Sequence, residues 1–270
     1  MMADEHRDPE ATLPDEAELS DKMTFLEHLE ELRTRLIYST IAIAVGFSVC
    51  LFFYVQLFHF ILAPIKKVLP EGRKELFYLT PTEGFGISMK ASLIVGIFVA
   101  SPFILWQLWL FISPGLYRRE KTYALPFLLG STILFLLGGA FAYLIALPRA
   151  LEFLINFNPE LRPMITASEF FDFAALVILG MGVVFQLPVL IGFLSMFGIT
   201  TPRFLWHNFK YAILIIFIVA AVISPTGDAV NLFVFALPMV ALYVLSIGIS
   251  LVFHVSRKRK ARKQALTTTS

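Results

Sequence analysis

Five stretches of this chain carry no Asp, Glu, Lys or Arg: residues 36–62, 91–112, 123–147, 173–197 and 229–253. Each is long enough to cross a hydrocarbon layer about 30 Å thick, which takes about 20 apolar residues in a helix. Membrane strands are shorter and alternate polar with apolar residues, so a β-barrel does not fit. With 57% hydrophobic and 16% charged residues in 270, the chain is neither an ordinary soluble domain nor a disordered one. The reading is an all-α polytopic membrane protein.

A sixth stretch, 211–223, is uncharged but short. The placement of basic residues decides how it is counted. With six spans, 15 of the 22 Lys and Arg lie on the side of the N-terminus and 7 on the other; with five, the split is 9 to 13. The positive-inside rule therefore favours six spans with both termini cytoplasmic. A helix over 211–223 rises only about 20 Å, which implies a thinned bilayer or a dip in the protein surface. The expected organisation is an acidic, disordered cytoplasmic tail over 1–22, a membrane domain over 23–253 and a basic cytoplasmic tail over 254–270 that touches anionic lipid.

Several function classes lose ground here. The balance of 22 basic against 20 acidic residues does not suit a nucleic-acid binder. One cysteine, Cys50, forms no internal disulfide and no thiolate cluster. No HExxH, GxSxG, phosphate-cradling glycine loop or paired intramembrane carboxylate is present. The reading is therefore a non-enzymatic protein without metal or cofactor. Polar groups inside the spans are few: Gln107 in the second and Gln186 in the fourth, with Gln56, His59 and Asn231 near span ends. Gln186 either bonds a neighbouring helix or offers a polar contact to a partner helix. Prolines 102, 126, 188 and 238 are expected to bend four spans into a concave bundle. The small pairs Ala42/Gly46, Gly96/Ala100 and Gly138/Ala142 allow close helix contact.

Thr24 and Glu27 have capping-box spacing, and Phe25, Leu29, Leu32 and Leu36 form one helical stripe. A helix is thus expected to start near Thr24 in the cytoplasm and run into the membrane. Two acids stand on that side, Glu31 before the first span and Glu120 in the loop after the second. They either pair with local Arg33, Arg35 or Arg118, or form a carboxylate site for guanidinium groups of a partner. A carboxylate accepts the fork of an arginine in two parallel bonds and cannot do so with lysine.

The run His28-Leu-Glu-Glu31-Leu-Arg33-Thr-Arg35-Leu resembles the N-terminal signature of the TatC family, the large membrane subunit of the twin-arginine protein translocase. Further motifs follow in order: Ala63-Pro64 opening the first outer loop, Leu79-Thr-Pro-Thr-Glu-Gly-Phe85, Pro102 to Glu120 (PFILWQLWLFISPGLYRRE), Phe185-Gln186-Leu-Pro188-Val, and Ser224-Pro-Thr-Gly-Asp228. The resemblance implies six spans in a glove-like bundle and a receptor for folded precursor proteins bearing twin-arginine signal peptides. It carries over Glu31 and Glu120 as the acids that meet the arginine pair, with Arg33 and Phe111 shaping the site. Pro64 and Asp228 match family positions outside the membrane. The implied partners are single-span TatA and TatB proteins, docking along the fifth and sixth helices of a multimeric complex. The implied energy source is the proton-motive force. Where the family often has a glutamate within the fourth span, this chain has Gln186. The rival reading, a secondary transporter of a small solute, needs a polar cavity at the midplane, which only Gln107 and Gln186 could line.

Overall fold

A computed structural model describes residues 16–69, 76–112, 124–157, 164–224 and 228–268, with backbone alone at 16–26, 124, 197, 253 and 256–268. Among the described residues there are ten α-helices and no strand, with one isolated bridge between Phe77 and Thr166. Five helical segments are long and apolar enough to cross a membrane: Glu27–Leu51, Glu83–Ile112, Leu125–Asn156, Ala167–Met196 and Ala229–Val252. A shorter apolar helix, Phe209–Ile223, makes the sixth.

Helix α1 (Glu16–Leu51) has no proline and no glycine before Gly46, so nothing breaks it. It begins ahead of Thr24, so Thr24 lies inside the helix and does not cap it, and residues 16–22 are helical where a disordered tail was expected. The first uncharged stretch, read as one span over 36–62, is two helices. The chain turns at Phe52 and Phe53, and α2 (Tyr54–Val68) follows. Absence of charge reports solubility in lipid, not the direction of a helix. Gln56, His59, Lys66 and Lys67 all fall on α2, which buries Ile61, Leu62, Pro64 and Ile65 and leaves its polar positions exposed or half-buried. Pro64 therefore sits buried within α2, which runs on to Val68 where a loop was expected to open.

Helix α3 (Glu83–Ile112) is central and packs against α1, α2, α4 and α6. A Cβ at Gly46 would lie 2.7 Å from the Gly96 carbonyl oxygen, and one at Gly96 would lie 2.8 Å from the Phe47 nitrogen. The α1 and α3 backbones therefore touch where the sequence offered small residues. Gly138 is equally close to the Met181 carbonyl of α6, 2.6 Å from a Cβ position. The third membrane segment is α4 (Ala124–Phe141), a π turn (Ala142–Ala146) and α5 (Leu147–Asn156). The wide turn immediately precedes Pro148, whose ring and missing N–H disfavour a normal α turn.

Helix α6 (Ala167–Val184) carries much of the core: Phe170, Phe171, Ala174, Val177 and Met181 are buried. It breaks at Phe185 and Gln186, just before Pro188, and α7 (Leu187–Phe197) ends at Gly198, whose φ of 78° permits a left-handed cap. The short α8 (Pro202–His207) leads to α9 (Phe209–Ile223), about 22 Å long. Finally α10 (Ala229–Thr268) continues without a break through the basic segment read as a separate tail.

Candidate functional site

Two clusters of polar side chains mark opposite ends of the bundle. At the end where α1 enters and α3 leaves, the antiparallel helices face each other in two rungs. His28 stacks on Phe111, with ring centroids 4.6 Å apart and planes at 20°. Two turns inward along α1 and one along α3, the Arg35 guanidinium bridges the helices, donating from Nη2 to Glu31 Oε1 (3.2 Å) and from Nη1 to Gln107 Oε1 (3.3 Å). Glu31 and Arg35 are four apart on α1, which places them on one face. Each side chain keeps 27% of its accessible surface, whereas Gln107 is buried at 6%. The Arg35 Nε is buried with no hydrogen-bond partner.

The arrangement is chemically lopsided. Glu31 is held through one oxygen at a distance longer than the 2.7–2.9 Å usual for a charge-assisted N–H···O bond. A partly exposed pair of this kind contributes at most about 1 kcal/mol. The carboxylate is thus oriented by Arg35 but weakly held, and a better-placed guanidinium has an acceptor to compete for.

Of the residues singled out from the sequence, Glu31 and Phe111 lie at this end: Glu31 is paired with Arg35, one of the local partners the sequence offered, and Phe111 is stacked on His28. Arg33 is exposed on α1, two residues from Glu31 and so on another face of the helix. Glu120 lies outside the described residues. Gln186 stands elsewhere, donating from Nε2 to the Ser131 carbonyl of α4 at 2.9 Å, a bond between helices that spans the break between α6 and α7. Arg35, Gln107 and His28 complete the cluster. Their signal was present in the four-residue spacing of Glu31 and Arg35 and in an amide isolated within an uncharged span.

The far end is more tightly joined. The Glu83 carboxylate accepts from the backbone N–H of Leu79 (2.7 Å), Thr80 (3.4 Å) and, across to α6, Ser168 (3.2 Å). Thr80 and Glu83 have the capping-box spacing that was sought at Thr24 and Glu27. Lys90 of α3 pairs with Asp172 of α6 at 2.7 Å and donates to Ser168 Oγ. Asp228 begins α10: its carboxylate accepts from the Asn231 backbone N–H (2.8 Å) and side-chain amide (3.1 Å), which holds the fully buried Asn231. Pro64 is buried in α2 at this same end.

Two cavities open among the described residues. A cleft of about 540 Å³ at the far end is lined by Tyr54, Phe58, Lys66, Tyr78 and Ser88 among others. An apolar one of about 380 Å³ is lined by Phe60, Phe98, Gly139 and Tyr143 among others. Neither Gln107 nor Gln186 lines either one, and both amides are engaged in bonds between helices. The described residues hold no group of three or more His, Cys, Asp or Glu suited to a metal ion.

The family model for the Sec-independent protein translocase protein TatC matches residues 27–238. The chain belongs to the TatC family. It is 48% identical over 243 residues to the Sec-independent protein translocase protein TatC of Koribacter versatilis, covering 89% of this chain and 90% of that one. It is 39% identical over 246 residues to the TatC of Aquifex aeolicus, covering 90% and 100%. Among solved structures it resembles a crystal structure of a twin-arginine translocase receptor TatC, with a TM-score of 0.73, 39% identity and coverage of 84% of this chain and 99% of that one. Membership makes the chain a multi-pass membrane component of a protein translocase, and the transporter reading is set aside.

Proposed function

We propose that the chain is the signal-peptide receptor of a twin-arginine translocase. Folded precursor proteins present an arginine pair to the cytoplasmic face, where Glu31 and Glu120 accept the guanidinium groups. Phe111, stacked on His28, forms the apolar wall beside them, and Arg33 guards the rim. The observation that carries the reading is the Glu31 carboxylate itself, presented at the junction of α1 and α3 and already paired with a guanidinium through only one oxygen. The crystallised relative is named a twin-arginine translocase receptor, which supports the same role here.

In this reading both termini and the flanking acidic and basic segments are cytoplasmic, in a bacterial or archaeal cytoplasmic membrane. TatA and TatB dock along the short α9 and α10, which together leave apolar residues such as Leu214, Ile218, Val222 and Leu237 exposed. The multimeric complex draws on the proton-motive force. Gln186 contributes a polar group where such a partner helix meets the break between α6 and α7.

The test is binding of the purified chain to a signal peptide carrying Arg-Arg against the same peptide carrying Lys-Lys. Preference for Arg-Arg is expected. Glu31→Gln removes a charge-assisted acceptor, and such a bond contributes enough for a loss of about tenfold or more. Glu120→Gln is expected to act in the same direction. Equal binding of both peptides by the unaltered chain would overturn the receptor reading, and full binding by the double variant would move the site elsewhere.

A further inference from the structure

Arg35 is the only residue among those described with a buried side-chain nitrogen lacking a hydrogen-bond partner. Its other two nitrogens reach acceptors on two different helices, Glu31 on α1 and Gln107 on α3. Neither contact is bidentate, and both are long. Such a guanidinium is not an anchor. It is a cation shared between a charged acceptor and a neutral one, and neither bond has ideal length.

From this geometry we infer that Arg35 is an internal occupant of the Glu31 site, set to be displaced by an incoming guanidinium and to be retained by Gln107 when it leaves. This rests on the receptor reading above and adds the residue that sets its affinity. Glu31 Oε1 is the atom for which both cations compete. An incoming arginine that meets the carboxylate with its full fork gains two parallel bonds where Arg35 makes one. The displaced Arg35 still needs a partner, because a charged group stripped of its acceptor in a half-buried site is costly. Gln107, buried at 6% and aimed at Arg35, supplies the carbonyl oxygen that keeps it solvated by protein. Peptide binding is then an exchange of partners, and its affinity falls short of what the carboxylate alone would give.

The exchange makes two predictions with opposite signs. Arg35→Gln removes the competitor and is expected to tighten Arg-Arg peptide binding about three- to fivefold, the size a partly exposed pair supports. Gln107→Leu removes the resting place and is expected to weaken the same binding, and the weakening is expected to vanish when Arg35→Gln is added. A purely structural role for Arg35 would loosen binding in both single variants. A general charge effect would leave the Arg35→Gln gain intact in a Glu31→Gln background, whereas exchange abolishes it.

The measurement is peptide affinity for the purified full chain in detergent, for the unaltered protein, both single variants and the two double variants. A gain for Arg35→Gln that depends on Glu31, together with a loss for Gln107→Leu that depends on Arg35, supports the exchange; a gain that persists with Glu31→Gln overturns it. Unchanged or weaker binding by Arg35→Gln, from a chain that still prefers Arg-Arg to Lys-Lys, overturns this inference and leaves the receptor reading standing. Loss of the Arg-Arg preference in the unaltered chain overturns both.

Discussion

The two ends of the bundle are built from the same kinds of residue and behave as opposites. At the far end, Glu83 collects three backbone N–H groups from two elements, Lys90 meets Asp172 at 2.7 Å, and Asp228 holds Asn231 through two bonds. At the end bearing Glu31, one arginine serves two acceptors at 3.2 and 3.3 Å and leaves its Nε unpaired. The first end closes the ends of α3, α6 and α10; the second offers a carboxylate for exchange. A stability site saturates its acceptors, and a binding site keeps one in reserve.

The comparison can be broken most visibly midway between the ends. Gly96→Leu drives a side chain into the Phe47 backbone, where a Cβ alone would be at 2.8 Å. α1 must then move off α3, and the His28–Phe111 and Arg35–Gln107 rungs open together. Overpacking of this kind costs about 1–3 kcal/mol or more. The expected outcome is a clearly lower Tm with peptide binding reduced beyond the tenfold of Glu31→Gln. A variant that keeps normal binding would show that the rungs do not depend on the crossing.

Asp228→Ala sharpens the contrast at the far end. Loss of the α10 cap is expected to lower stability by about 1 kcal/mol, read as a drop in Tm, with peptide affinity unchanged within twofold. A loss of peptide binding at equal stability would make the far end part of the receptor. The smallest effect is expected for Gln186→Leu. It removes one bond to the Ser131 carbonyl, and bonds between membrane helices average about 0.6 kcal/mol. Thermal unfolding should barely move, while any change in co-purification of TatA or TatB would assign Gln186 to partner contact.

Much of this contrast was legible in the sequence, and the rest was not for definable reasons. Uncharged length found the five helices among the described residues that are long and apolar enough to cross a membrane, because suitability for lipid is a property of composition. It could not place the turn at Phe52 and Phe53, since an apolar run reads the same whether it crosses or doubles back; the polar positions of α2 were the available hint. Small-residue spacing found the Gly46–Gly96 and Gly138 contacts, because only small residues let backbones meet. Capping-box spacing occurs at both Thr24 and Thr80, and only tertiary contact distinguishes them: Glu83 also reaches Ser168 of α6. Glu31 was singled out as a cytoplasmic acid and Phe111 through the family resemblance, while Gln107 was noted only as an amide that a rival transporter's cavity would need, because its partner is an arginine 72 residues away.

The touching backbones at Gly46 and Gly96 act as a fulcrum. Glu31 lies fifteen residues from Gly46 along a helix unbroken between them, an arm of about 22 Å at 1.5 Å per residue. A tilt of about 5° at that pivot carries Glu31 and Arg35 together, about 1.4–2 Å along their arcs relative to α3; their own contact stays intact, and the 3.3 Å bond from Arg35 to Gln107 is stretched. Lateral pressure on α1, from a passing helix or a change in bilayer thickness, would thereby be converted into a change in the grip of Gln107 on Arg35.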